Sequence, residues 1–304
     1  MIIKNQEGLQ FLSALPDESV DLVLTDPPYI TSRDSGMDKW VDHVAAQDAS
    51  GGFIKTVEEW ESLSAATDWN KFFGDKKRNL EPLKKNYLKY GSIYGKKYAV
   101  RTNYGKWDSE FTMEDLQLFI NHFYRVLKPG GTCIVFFDLW KITPLKDQLE
   151  SAKFKQIRFI EWLKTNPQPI NSKVNYLTNC REIALLGIKK SKPTFNSSYD
   201  KAVYEYPIQG GKDRFHPTQK NTHMFEELIL KHSNKGDVVL DPFLGSGTTA
   251  AAASATEREF IGCELDEEYY KKAVERINSL DEEYYKKAAE RIKSITTKVA
   301  PNVV

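Results

Sequence analysis

The feature that most limits how this 304-residue chain can fold is the stretch 238–249. A short apolar run there leads through Asp241 into a turn that contains Gly245 and Gly247, and an alanine-rich stretch of helical character follows. The next apolar run ends at Glu264. A glycine turn between a strand and a helix lets a nucleoside approach the backbone, and an acid that ends the next strand suits ribose hydroxyls. The stretch therefore predicts a nucleoside-binding unit, although it lacks the third glycine of a dinucleotide fingerprint.

The other apolar runs alternate between strand-like and helix-like spacing. Val20–Thr25 is a mostly apolar run that Asp-Pro-Pro halts, which indicates a buried strand followed by a rigid loop. Phe111–Leu127 has helical spacing and stops at Lys-Pro-Gly-Gly, and Thr132–Phe137 follows as a second buried strand. Strands that alternate with helices in this way predict an α/β fold with an open, mostly parallel sheet and helices on both faces.

Residues 31–110 break this alternation and are predicted to form an insertion at the carboxyl edge of the sheet. Between Asn70 and Trp107 eleven basic residues stand with two acidic ones, a bias that the net charge of +1 conceals. The pattern predicts a polyanion-binding surface, whose expected contacts are Lys76, Lys77, Arg78, Lys84, Lys85, Lys89, Lys96, Lys97 and Arg101. The aromatic residues among them either stack on nucleic-acid bases or form a small core beneath a solvated basic face.

The loop Asp26-Pro27-Pro28-Tyr29 combines a carboxylate, a backbone stiffened by proline and an aromatic ring. An exocyclic amine of a nucleobase is a poor nucleophile because its lone pair is delocalised into the ring. The Asp26 carboxylate and the Pro27 carbonyl are two fixed acceptors for the hydrogens of such an amine. Tyr29 offers a flat face to a base that has swung out of a duplex. The alternative interpretation is a strand-ending turn with a buried tyrosine.

The stretch 216–220 (His-Pro-Thr-Gln-Lys) precedes a predicted amphipathic helix that leads to the glycine turn. Thr218, Gln219 and Lys220 are candidates to bind a cofactor carboxylate through a hydroxyl, an amide and a cation. His216 has no His, Cys or Asp partners at metal-ligand spacing, so the sequence predicts no metal site. A solvated loop without a role in chemistry is the alternative.

Together these stretches resemble the DNA amino-methyltransferases, which methylate adenine N6 or cytosine N4. Residues 26–29 are similar to the catalytic loop of that family, and residues 241–249 to its cofactor loop. The catalytic loop comes first in the chain, which is the permuted order of the beta class. His-Pro-Thr-Gln-Lys precedes the cofactor loop in that class too, with Asn221 here where proline is usual. Residues 162–169 resemble the Trp-x-Lys-x-Asn-Pro segment that lies beside the target base.

The resemblance implies a Rossmann-like fold, S-adenosylmethionine as methyl donor and duplex DNA as substrate. It covers residues 1–30 and 111–280, the expected catalytic domain, and leaves 31–110 as an inserted target-recognition region. It also assigns Glu7 to the cofactor adenine, where Asp is commoner. The expected cofactor-binding residues are Glu7, Asp26, Thr218, Gln219, Lys220, Asp241, Phe243, Gly245, Ser246, Gly247, Thr248 and Glu264. Asp26 in place of serine favours adenine N6, and cytosine N4 stays open.

Three other classes also stay open. A dinucleotide oxidoreductase explains the α/β alternation and Glu264, but neither the Asp-Pro-Pro-Tyr loop nor the basic insertion. RNA and protein amino-methyltransferases have related loops, but they usually carry the cofactor loop first. A non-catalytic DNA-binding module has no need for Asp26 and Glu264 together with the glycine turn.

The C-terminal region contains a repeat, since Asp266–Ser279 recurs almost unchanged as Asp281–Ser294. We interpret residues 281–304 as a tandem duplication that either lengthens a C-terminal helix or adds a second one. Three scattered cysteines, early charges at Lys4 and Glu7 and the lack of a long apolar run indicate a cytoplasmic protein without a membrane segment. A homodimer and a cognate restriction endonuclease are further partners compatible with the resemblance.

Overall fold

The computed structural model describes residues 1–30, 54–74, 79–93, 111–167, 179–210, 219–280 and 282–299. The chain divides into two compact units. One consists of residues 1–31 and 104–304, and the other of residues 32–103. The boundaries expected for the catalytic domain and its insertion stay predictions.

The described residues of the larger unit contain eight strands: β1 (Ile2–Asn5), β2 (Val20–Thr25), β3 (Leu127–Phe137), β4 (Lys155–Lys164), β5 (Arg181–Ile188), β6 (Val203–Tyr206), β7 (Val238–Asp241) and β8 (Glu259–Glu264). The helices of both units are α1 (Gly8–Ser13), α2 (Val57–Ala66), α3 (Trp69–Phe73), α4 (Glu81–Tyr90), α5 (Met113–Val126), α6 (Ile142–Ser151), α7 (Thr222–His232), α8 (Thr248–Ala255), α9 (Glu267–Asn278) and α10 (Glu282–Val299). A 3₁₀ turn covers Leu139–Lys141. Within the described ranges, no helix is long and apolar enough to cross a membrane.

The strands form one sheet in the order β1-β8-β7-β2-β3-β5-β4-β6. All neighbours pair in parallel except β5, which runs antiparallel to both β3 and β4. The carboxyl ends of seven strands therefore lie at one edge of the sheet, and the amino end of β5 lies at that same edge. The predicted α/β fold with a mostly parallel sheet is confirmed.

Both faces of the sheet are covered by helices, as predicted. Successive side chains of a strand point to opposite faces. In β2, Val23 belongs to the core that α1, α5 and α6 close, whereas Leu22 and Leu24 belong to the core that α7, α8 and α9 close. Strand β2 is mostly apolar because both of its faces are buried.

The Lys-Pro-Gly-Gly stretch follows the end of helix α5, as predicted, but the prediction that it forms a turn before the next strand is wrong. Helix α5 ends at Val126 close to the predicted residue, but β3 begins at Leu127 rather than at Thr132. The early start arises because Leu127 pairs with Val20 of β2. The register then shifts before Thr132, so the extra residues, among them Gly130 with φ +87°, are accommodated as an irregularity inside the strand.

The C-terminal repeat forms a second helix, α10, rather than a longer α9. Corresponding positions of the two copies are buried alike, since Ala273 of α9 and Ala288 of α10 are both fully buried. Arg276 of α9 donates to the backbone oxygen of Ser246 at 2.7 Å. Its counterpart Arg291 forms an ion pair at 3.2 Å with Glu226, a buried residue of α7.

In the described part of the smaller unit, α2, α3 and α4 carry a cluster of aromatic rings. Trp60 is buried, and its ring lies 6.0 Å from that of Trp69 and 5.8 Å from that of Tyr87. The rings of Phe72 and Phe73 lie 5.1 Å apart. Trp60 is buried among these rings, whereas Phe72 is exposed, so both interpretations of the aromatic residues stay open. On α4, Lys84 is half-buried and both Lys85 and Lys89 are exposed, while the predicted contacts Lys76, Lys77, Arg78, Lys96, Lys97 and Arg101 lie outside the described residues.

Candidate active site

The acidic residues that were expected to bind ligands meet at the carboxyl edge of the sheet. Glu7 follows β1, Asp26 follows β2, and Asp241 and Glu264 are the last residues of β7 and β8. Because these strands lie in the order β1-β8-β7-β2, the four carboxylates surround one cavity of about 260 Å³. Its other lining residues are Gly8, Pro27, Pro28, Tyr29, Phe111, Phe119, Gln219, Lys220, Phe225, Pro242, Phe243, Leu244, Gly245, Ser246, Thr248, Thr249, Leu265 and Tyr269.

Most of the predicted site residues thus come together. Gly247 does not line the cavity but supplies the turn beneath it, and Thr218 and His216 lie outside the described residues. In the part of the chain that the structure describes, no group of three His, Cys, Asp or Glu residues is placed to hold a metal ion.

The glycine turn requires backbone conformations that glycine adopts most readily. Gly245 has φ +51° and Gly247 has φ +75°, and Gly247 is the N-cap residue of α8. Glu264 braces this turn, since Oε2 accepts the backbone N–H of Gly245 at 2.8 Å and Oε1 accepts that of Asp266 at 3.0 Å. Burial raises the pKa of Glu264 above its ordinary value.

Asp241 ties three elements together at the start of the same turn. Its Oδ1 accepts the hydroxyl of Thr25 in β2 at 2.7 Å and the backbone N–H of Phe243 at 3.1 Å. Its Oδ2 accepts the hydroxyl of Thr249 in α8 at 2.6 Å. Burial raises the pKa of Asp241 to about 6 against these hydrogen bonds. Its carboxylate fixes β7, β2 and α8 at the floor of the cavity.

Glu7 also lines the cavity, where it caps α1. Its two carboxylate oxygens accept the backbone N–H groups of Leu9 at 2.8 Å and Gln10 at 2.7 Å. Phe243 forms an apolar wall nearby, with its ring 4.5 Å from that of Phe119. The expected contact of Glu7 with a bound cofactor stays a prediction.

The Asp-Pro-Pro-Tyr loop is held by a buried lysine. Lys220 Nζ lies 2.7 Å from Asp26 Oδ2 and donates to the Tyr29 hydroxyl at 3.3 Å. The Tyr29 ring stands edge-to-face with that of Phe137 at 6.0 Å, and the ammonium of Lys220 lies 5.3 Å from the centre of the Tyr29 ring. The loop therefore presents its carboxylate and its aromatic face in fixed positions.

The two carboxylate oxygens of Asp26 differ in their surroundings. Oδ2 is paired with Lys220, whereas Oδ1 is buried and has no hydrogen-bond partner among the described residues. Burial raises the pKa of Asp26 to about 6, and the ammonium of Lys220 opposes that rise. Oδ1 is therefore a buried acceptor that no described residue satisfies.

Lys220 was expected to bind a cofactor carboxylate, and in this structure its ammonium is occupied by protein carboxylates. Besides Asp26 it contacts Glu182 Oε2 at 2.8 Å. Glu182 was not predicted, because the second residue of an apolar strand carries no motif. Arg276 was missed as well, although its donation to Ser246 and to the hydroxyl of Thr222 links α9 to the glycine turn and to α7.

Comparison with known proteins identifies the family of this chain. A family model described as DNA methylase, of the N6 and N4 methyltransferases, matches residues 20–275. The Type II methyltransferase M2.DpnII of Streptococcus pneumoniae is 29% identical over 92% of this chain and 90% of its own length.

Two solved structures have the same fold. The M1.HpyAVI–SAM complex matches 91% of this chain and 98% of its own, with a TM-score of 0.56 and 23% identity. The PvuII cytosine-N4-specific DNA methyltransferase matches 97% and 92%, with a TM-score of 0.60 and 15% identity.

The sheet order and the acidic cavity at its carboxyl edge define a Rossmann-like enzyme of nucleoside-cofactor type. The chain belongs to the N6/N4 family of DNA methylases, whose model covers most of its length. The predicted family, the Rossmann-like fold, the DNA methyltransferase activity and the methyl donor S-adenosylmethionine are thereby confirmed.

The buried state of Asp241 predicts a pH dependence of stability. Its pKa of about 6 in the folded protein exceeds the ordinary 3.8, so the folded protein binds this proton more tightly than the unfolded chain does. The resulting stabilisation is fully present below about pH 4 and is lost as the pH rises through about 6. Asp241→Asn has no such proton, so the difference in free energy of unfolding between wild type and variant should fall by about 1–3 kcal/mol across that window.

Urea denaturation of both proteins at several pH values between 4 and 7 measures this difference. The matched control is Asp17→Asn, which removes an exposed carboxylate, and for it a much flatter difference is expected. A difference between wild type and Asp241→Asn that stays constant with pH would contradict the assignment.

Proposed function

We propose that this DNA methylase transfers the methyl group of S-adenosylmethionine to N6 of adenine in duplex DNA, with Asp26 as the catalytic carboxylate. The observation that carries the proposal is the asymmetry of that carboxylate: Oδ2 is held by Lys220, and Oδ1 is buried without a partner in the described part of the chain. A buried acceptor without a donor is costly, and a donor on the substrate would satisfy it.

The residues of the cavity suit the proposed cofactor. The glycine turn keeps side chains away from the backbone at Gly245, and Phe111, Phe243 and Leu265 supply apolar surface for a purine. Among the described residues, four acidic side chains line the cavity and Lys220 is the one lysine that does, a balance that suits a cationic sulfonium. Glu264 accepts one backbone N–H at each oxygen, and each oxygen has a further lone pair for a ribose hydroxyl.

When it is bound, S-adenosylmethionine supplies a methyl group that is activated as an electrophile by its positive sulfur. Asp26 Oδ1 accepts one hydrogen of the target amine and the Pro27 carbonyl accepts the other, so the nitrogen lone pair is drawn out of conjugation. Tyr29 stacks on the base that has left the duplex. Asp26, ionised at neutral pH, then takes the proton that the methylated nitrogen loses.

The choice of adenine rests on the first residue of the loop. Among enzymes of this kind, a catalytic loop that begins with aspartate, as this one does at Asp26, is typical of those that methylate adenine. A loop that begins with serine is typical of those that methylate cytosine N4. The family model spans both activities, so cytosine N4 is the second candidate.

We further propose that residues 31–110 bind the DNA and select its sequence. The excess of basic residues between Asn70 and Trp107 supports phosphate binding, and the exposed Lys85 and Lys89 of α4 lie within it. Residues 190–215, between β5 and α7, are the alternative site for this role.

A role beside a restriction endonuclease is supported by the similarity to M2.DpnII, which is a Type II methyltransferase. We therefore propose a cognate endonuclease that cuts the unmethylated form of the same site. The homodimer and the cytoplasmic location stay predictions.

Replacement of the catalytic carboxylate tests the proposed chemistry. Asp26→Ala should lower the rate of methyl transfer to duplex DNA by about 10²–10³-fold or more, because a preorganised acceptor is lost at the reacting nitrogen. Binding of S-adenosylmethionine and of DNA should persist. Transfer of a tritiated methyl group into DNA gives the rate, and calorimetry gives both affinities. Near-normal turnover by Asp26→Ala would remove this residue from the mechanism.

Replacement of the three described lysines of α4 tests the insertion. Each phosphate contact contributes about −0.9 to the slope of log affinity against log salt, so Lys84, Lys85 and Lys89 changed together to Ala should flatten that slope by up to about 2.7. The matched control carries Ala at Lys153, Lys155 and Lys235, exposed residues close to the amino ends of β4 and β7, and should keep the slope. Unchanged DNA affinity and slope in the first variant would exclude these residues of α4 as a DNA-binding surface.

A further inference from the structure

Four charged side chains of alternating sign form a continuous chain that ends at the catalytic loop. Asp26 lies 2.7 Å from Lys220, Lys220 lies 2.8 Å from Glu182, and Glu182 lies 2.6 Å from Lys164. The side chains are between 6% and 21% exposed, so water screens these pairs weakly. We call these four residues the charge chain.

The sheet topology explains why Glu182 reaches this place. It is the second residue of β5, the strand that runs against its neighbours. The amino end of β5 therefore lies where the other strands have their carboxyl ends. Glu182 pairs with Trp162 in β4, and Lys164 ends that strand. An antiparallel strand thus delivers a carboxylate to the catalytic edge.

The balance of charge in the chain affects both partners of Lys220. Its ammonium is almost completely buried, and two carboxylates share it. If Asp26 were its sole partner, the ammonium would neutralise that carboxylate more fully and weaken it as an acceptor. If the ammonium were absent, Asp26 would be a buried and unpaired charge that favours protonation.

We propose that Glu182 is a positioning residue that sets how strongly Lys220 holds Asp26, so that the catalytic carboxylate is ionised and still a strong acceptor. This inference rests on the proposed function, because it assigns Glu182 to the chemistry of that same site. It also reassigns Lys220 from a cofactor contact to the partner of the catalytic loop.

Among the described residues, the charged and titratable groups that face Asp26 are Lys220, Glu182 and Tyr29. Lys220 lowers the pKa of Asp26, and the negative charge of Glu182 raises it. Burial raises the pKa of Glu182, but Lys220 and Lys164 outweigh burial and hold it near 2. Glu182 therefore stays ionised throughout the range in which Asp26 titrates.

Replacing Glu182 or Lys220 with an uncharged residue should consequently move the acid limb of the pH–rate profile, and the two replacements should move it in opposite directions. Glu182→Gln removes a negative charge, and the limb should move to lower pH by about one unit. Lys220→Met removes a positive charge, and the limb should move to higher pH by a similar amount. A purely structural role for Glu182 predicts loss of rate or of folded protein without this opposition.

The matched control is Glu161→Gln, the same substitution on the neighbouring strand β4, where Glu161 pairs with the more exposed Arg181. It should leave the acid limb in place. Lys220→Arg keeps the charge and should keep the limb near that of the wild type, which separates charge from packing if Lys220→Met folds poorly.

A second test, which needs no DNA, is carbon-13 NMR of the labelled aspartate carboxyl carbons in the full chain. The resonance of Asp26 is identified by its absence from the spectrum of Asp26→Asn. The Asp26 resonance should titrate at lower pH in Glu182→Gln and at higher pH in Lys220→Met. If Asp26 titrated at the same pH in Glu182→Gln as in the wild type, the inference would be overturned even if the enzyme methylates DNA. Absence of methyl transfer by the wild type would instead overturn the proposed function, while the NMR titration still tests the charge chain.

Discussion

The whole site depends on the pairing of β7 between β2 and β8. β2 lies near the start of the chain and β7 near its end, yet the hydroxyl of Thr25 and the carboxylate of Asp241, 216 residues apart, are joined by a buried hydrogen bond. This pairing places the catalytic loop beside the glycine turn. The order of the motifs along the chain therefore matters little, because the pairing of the strands brings the catalytic loop and the glycine turn together in space.

Burial at that edge gives each carboxylate a different role. Asp241 and Glu264 accept backbone or hydroxyl donors and shape the turn, whereas Asp26 keeps an oxygen without a partner in the described residues. Lys220 and Glu182 extend this arrangement into a buried network. A network of this kind costs desolvation energy and so contributes little to stability, but it holds charges in place for chemistry.

The sequence predicted the parts of the fold and site that follow from local patterns. Acids that end apolar strands had to meet at one edge, and Gly245 and Gly247 identified the turn between β7 and α8. The six-residue α1 is too short for a helical period to be visible, and an apolar strand such as β5 reads the same in either direction. The role of Glu182 depends on that direction, so no local pattern revealed it.

The identity of the methylated base tests the account most directly. Purified protein would be incubated with genomic duplex DNA and S-adenosylmethionine that carries a deuterated methyl group, and the DNA would then be digested to nucleosides for mass spectrometry. The account predicts the deuterated methyl group on N6 of deoxyadenosine. Label on deoxycytidine, or DNA without label, would contradict it.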